Sequence, residues 1–94
     1  MEKIRASDIL EILENYDVEY RFLPRGRFGY VDPGEQRIVL NARYDKFWQR
    51  LTLMHEILHV YYDERGIERT EEEIDSEARE LLKRFPYLEP FREK

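Results

Sequence analysis

Cysteine is absent from the 94 residues, which excludes disulfides and every thiolate metal site. A metal ion here would have to be held by histidine, aspartate or glutamate. No apolar run approaches the 18 or so residues that a membrane helix needs. Residues 1–5 lead into a polar amphipathic segment, with no continuous apolar stretch of the kind a secretory leader carries. A cytoplasmic location is the expectation, with no membrane partner. Glycine and proline number four each, so each one that does occur is a strong marker of a turn. A basic surplus is missing too: the net charge is −5, and residues 63–77 hold eight acids against Arg65 and Arg69. Nucleic acid is a disfavoured partner for such a surface. Asparagine and glutamine are scarce and arginine exceeds lysine twelve to four, a composition compatible with a heat-adapted source.

What is present suits a small soluble fold, 41 % hydrophobic and 14 % aromatic. A chain of this length forms one domain, residues 1–94, and buries only roughly 60–65 % of its unfolded surface. Its expected radius of gyration is about 12 Å. An active site in so small a body must be an open cleft, which favours polymers over enclosed small molecules.

The periodicity predicts an α+β order. Ser7 is a candidate cap for a first helix carrying Ile9, Ile12, Leu13 and Tyr16 at helical spacing. From Val18 the period becomes two, until Pro24-Arg25-Gly26 interrupts it. Residues 28–31 and 37–40 flank the turn Asp32-Pro33-Gly34-Glu35, where glycine can take a positive φ. Three short strands in a mostly antiparallel sheet are expected. The helical period then returns with Phe47, Leu51, Met54 and Leu58 on one stripe, Asp45 as cap and Gly66 past the end. Thr70-Glu71-Glu72-Glu73 is a capping box. It opens a third helix with the stripe Ile74, Ala78, Leu81, Leu82 and Phe85, which Pro86 ends.

The second helix contains His55-Glu56-Ile57-Leu58-His59. Positions i and i+4 stack on one helix face, so both imidazoles can reach one ion at about 2.0–2.1 Å. Glu56 is turned by about 100° from His55, placing it to meet a water on that ion instead of the ion itself. This is the chemistry of H-E-x-x-H: two neutral imidazoles hold Zn²⁺, the metal acidifies its water, and Glu56 takes the proton and returns it to the leaving amine. Surface histidines can also be mere solvated neighbours. These two are the chain's only histidines, however, and they sit in an apolar helix that would otherwise bury imidazoles for little return.

A catalytic zinc site takes a third protein ligand. With no further histidine and no cysteine, it must be a carboxylate, and the acidic third helix supplies the candidates. At this point the chain resembles the gluzincin zinc peptidases, in particular the minimal minigluzincins and the peptidase module of ImmA/IrrE-type proteins. The latter read as an H-E-x-G-H helix followed by an E-x-E-A-N-x-F-A helix ending in L-L-x-P. Here the corresponding strings are His55-Glu56-Ile57-Leu58-His59 and Asp75-Ser76-Glu77-Ala78-Arg79-Glu80-Leu81-Leu82, with Pro86 shortly after. The resemblance implies a small zincin-like fold, zinc as cofactor, a peptide or protein substrate, His55 and His59 as ligands, Glu56 as general base and acid, and Asp75 as third ligand. Aspartate is one methylene shorter than the glutamate usual there, and Glu71, Glu72 and Glu77 remain alternative ligands in other registers. Arg79 replaces the usual Asn or Asp.

Three further expectations follow. Tyr62, on the histidine face, could donate to a developing oxyanion or pack as core. In zincin-like folds the sheet edge beside the active helix binds extended peptide, and residues 37–41 are the expected strand. The aromatic tail, residues 86–94, could cover the core with Tyr87 and Phe91, or lie over the cleft and keep the enzyme latent, in a monomer or exchanged across a homodimer. The rival function is a catalytically silent zinc-binding regulatory or protein-interaction domain.

Overall fold

The run Ile38-Val39-Leu40 has no polar alternation, and in the folded chain all three side chains are buried. A strand buried on both faces belongs in the middle of a sheet, and that is where it lies. The computed structural model describes residues 3–86 and Leu88. Its order is α1 (Ala6–Asn15), β1 (Asp17–Arg21), β2 (Gly29–Asp32), β3 (Arg37–Asn41), α2 (Lys46–Glu64) and α3 (Glu71–Arg84). The tail contacts expected of Tyr87 and Phe91 lie outside the described residues.

This is the α+β class expected, with three helices and a three-stranded sheet, consistent with a minimal zincin-like domain. The sheet order is β1-β3-β2, and here the strand pairing departs from the expected mostly antiparallel form. β2 and β3 form an antiparallel pair, but β1 runs parallel to β3. The reason is the seven-residue connection 22–28, long enough to carry the chain past a strand position that β3 then fills. A consequence concerns substrate. Residues 37–41 are hydrogen-bonded on both sides and cannot accept a peptide strand, so the edges are β1 and β2.

α2 is buried on most of its circumference, through Leu51, Leu53, Met54, Ile57, Leu58, Val60, Tyr61 and Tyr62, as a helix does when it forms the centre of a core. It touches the sheet, α1 and α3. Phe47, expected on the core stripe, falls outside this core at 46 % exposure and meets the Trp48 ring edge-on. The Cα radius of gyration is 12.5 Å, close to the value expected from length.

The helix ends follow local chemistry. Asp45 caps α2 by accepting from the Trp48 N–H at 3.2 Å, and Gly66 takes φ +65° just beyond its end. The cap of α1 is Arg5, two residues before the expected Ser7, and the Asp8 carboxylate accepts the Arg5 N–H at 2.9 Å. In the 32–36 turn the positive φ falls on Gln36, at 50°, and Asp32 Oδ1 accepts the Glu35 N–H.

The capping box of α3 forms as read. Thr70 Oγ1 accepts the Glu73 N–H at 3.1 Å, and Glu73 accepts the Thr70 N–H at 3.0 Å. Those bonds to Thr70, with the Arg69 pair at 3.2 Å, lower the Glu73 pKa. A carboxylate that titrates lower in the folded chain than in the unfolded one stabilises the fold fully above the unfolded value, roughly 4.3. That contribution is lost as pH falls through the lower folded value. The melting temperature of the wild type should therefore drop more steeply than that of Glu73→Gln between roughly pH 5 and 3. Parallel melting curves for the two proteins across that window would exclude the effect.

Candidate metal centre

Trp48, Thr52, His55 and His59 fall along one line of α2, and this line forms the floor of an open cleft of ≈ 450 Å³. Residues 26–29 make one wall. Glu71 and Asp75 of α3 make the other. The wall at Gly29 is close: a Cβ there would stand 2.5 Å from the Val39 carbonyl oxygen and 2.8 Å from Thr52 Cγ2. Only glycine lets β2 lie this near α2.

On the floor, His55 Nε2 and His59 Nε2 are 3.1 Å apart. The Glu71 carboxylate spans both, with Oε2 at 2.9 Å from His55 and Oε1 at 3.1 Å from His59. Among the described residues these three form a cluster of donors able to share one cation. Tetrahedral donors at about 2.0–2.1 Å from an ion stand roughly 3.3 Å from one another. The separations here are a few tenths of an ångström short of that, and a set of two imidazoles and one carboxylate suits Zn²⁺. The residues fit the ion.

Glu56 lies beside the pair and is 8 % exposed. Burial raises its pKa; the nearby His59 opposes the rise and Glu71 adds to it. A carboxylate pushed upward in this way takes up a proton more readily than an ordinary glutamate, as a general base must.

The other expected site residues are arranged as follows. Asp75 lines the same cleft but stands four residues beyond Glu71, an advance of about 6 Å along the helix, and its Oδ2 accepts from Arg79 Nε at 3.0 Å. Glu77 is engaged elsewhere, its Oε1 accepting the Tyr62 hydroxyl at 2.5 Å. Tyr62 is 3 % exposed. Burial and the Glu77 hydrogen bond push its hydroxyl up to about 12, so it remains a protonated structural donor and does not line the cleft. Glu71 meets the histidines because it is the first residue of α3, delivered there by the turn at residues 65–70.

One residue had no functional signal in the sequence. Asn41 is 1 % exposed and holds the loop that forms the cleft wall. Its Nδ2 donates to the carbonyls of Leu23, Pro24 and Arg27, and its Oδ1 accepts the N–H groups of Leu23 and Arg43. A buried side-chain amide satisfied on both ends is a positioning element; only its place at the end of an apolar strand could have drawn notice.

A family model described as the IrrE N-terminal-like domain, a peptidase family, matches residues 8–85. The match runs from α1 to the end of α3 and includes every residue of the cleft. No curated protein and no solved structure matches the chain.

Proposed function

Because the chain belongs to the peptidase family of the IrrE N-terminal-like domain, we propose that residues 1–94 are a single zinc metallopeptidase domain in which His55, His59 and Glu71 hold the metal and Glu56 is the catalytic base. The observation that carries the reading is the contact of one carboxylate, Glu71, with both histidines of the motif. Zinc bound there would supply Lewis acidity, polarising the peptide carbonyl and acidifying water. Glu56, buried at the foot of the cleft, takes the proton from the attacking water and returns it to the amine that departs. Its neighbours in the core keep it fixed for both transfers.

The substrate is a peptide, held as an added strand. β2 is the edge beside α2, in place of the strand expected from the sequence. Phe28 accepts from the Asn41 N–H at 2.8 Å, so by antiparallel alternation the backbone groups of Gly29 and Val31 face away from β3. They are the groups free to pair with an incoming chain. Among the described residues no helix is long and apolar enough to cross a membrane, and a cytoplasmic site of action is part of this proposal. The test of the whole reading is zinc-dependent cleavage of a protein substrate that disappears in Glu56→Gln.

The third ligand has its own test. Glu71→Gln should weaken zinc affinity by more than about a hundredfold, beyond the 10–100-fold typical of groups that only support a ligand. Asp75→Asn should change it by roughly tenfold or less. Competition with a chromogenic chelator reads both. The reverse order would make Asp75 the ligand and Glu71 its support.

A further inference from the structure

We propose that Phe28 and Trp48 form a subsite for an aromatic side chain of the peptide substrate. The proposal rests on the peptidase reading above and names a feature of the substrate. Four aromatic rings gather at one end of the cleft and none belongs to the hydrophobic core. Phe28 stacks on Tyr44 with centroids 4.5 Å apart, Trp48 lies 5.2 Å from Phe28, and Phe47 meets Trp48 edge-on at 5.4 Å. Phe28 and Trp48 nevertheless keep 39 % and 37 % of their surface open, and both line the same cleft as His55 and Glu56. The patch is thus continuous with the site of chemistry.

The rings are held in place before any ligand arrives. The Phe28 carbonyl is tied to the Asn41 N–H at 2.8 Å, and the Gly26 N–H donates to the Tyr44 hydroxyl at 2.7 Å. Little ordering cost remains to be met on binding. An aromatic guest gains ring–ring contact in addition to buried area, whereas an aliphatic guest gains area alone. A lysine over the rings is opposed by Arg27 and attracted by Glu56, Glu71 and Asp75 of the same cleft, but its ammonium meets a desolvation cost against the rings that an aromatic guest does not. Trp48 precedes His55 by seven residues, roughly 10 Å along the helix axis. That span corresponds to about three residues of extended peptide, so the aromatic side chain falls within about three positions of the scissile bond.

Trp48 is the chain's one tryptophan, and its emission reports occupancy directly. Zinc-loaded Glu56→Gln protein is titrated with blocked alanine hexapeptides carrying Phe, Leu or Lys at one position, scanned in turn. At one position the Phe peptide should bind about tenfold more tightly than the Lys peptide and about threefold more tightly than the Leu peptide, and saturation should shift Trp48 emission. Phe28→Ala, at an exposed site, should bring the three peptides within about twofold of each other while zinc content stays unchanged; Phe28→Leu should give an intermediate preference. Equal affinities at every position, or a Phe preference that survives Phe28→Ala with Trp48 emission unmoved, would overturn the subsite. Selective binding without hydrolysis by the wild type would remove the peptidase reading and leave the subsite standing, and hydrolysis without selectivity would do the reverse.

Discussion

His55→Ala and His59→Ala are each expected to leave the purified protein without stoichiometric zinc, while Glu56→Gln retains it and loses roughly 10²–10⁴ of the hydrolytic rate. The first two changes remove an imidazole from a cluster of three donors, and two donors cannot hold the ion against water and chelators. The third change leaves the cluster intact and removes only the proton carrier. Glu56 is 8 % exposed and buried among core residues of α2, so glutamine, the same shape without the charge, should be accommodated with little loss of stability. Zinc content by mass spectrometry and cleavage of an unfolded protein substrate read the two properties separately. Equal zinc in all three variants would dismiss the H-E-x-x-H reading. Full zinc in the wild type without any cleavage would instead favour the silent zinc-binding domain.

The sequence carried the histidine pair plainly because a helix converts a spacing of four into a shared face, with no tertiary information needed. The caps were equally local: Asp45 and the Thr70–Glu73 box bond to groups three residues away. Legibility ended where a residue's role depends on how distant elements meet. Which acid of α3 reaches the histidines is decided by the turn at residues 65–70, which sets the entry of the helix against α2. A motif string aligned by its Glu-Ala pair points to Asp75, and the geometry puts the Glu71 carboxylate against both imidazoles. The pairing of the sheet was hidden for the same reason. Three strands with tight-turn residues between them suggest a meander, but the insertion of β3 between β1 and β2 depends on the path of residues 22–28, which no periodicity encodes. The run Ile38-Val39-Leu40 did hold the clue, since a strand without polar alternation is a central one.

That path is maintained by Asn41, and its loss is expected to be the most damaging single change to the fold outside the core. Asn41→Ala would leave the carbonyls of Leu23, Pro24 and Arg27 and the N–H groups of Leu23 and Arg43 without the partner they share. These five bonds are part-buried, so each contributes about 0.5–1.5 kcal/mol, and water can reach some of the groups left behind. A net destabilisation of about 3–5 kcal/mol is expected, a large part of the roughly 5–15 kcal/mol available to a domain. Asn41→Asp preserves shape but replaces the donating amide with oxygen facing three carbonyl oxygens, so it should be no milder at neutral pH. Denaturant unfolding followed by far-ultraviolet circular dichroism reads the stability. The effect on function should be selective: His55, His59 and Glu71 stand on α2 and α3, so zinc binding should survive wherever the variant is still folded, while peptide affinity falls because Phe28 and Gly29 lose their fixed position. Asn41→Ala that unfolds within about 1 kcal/mol of the wild type, or that keeps full peptide affinity, would show that the loop holds its place by other means.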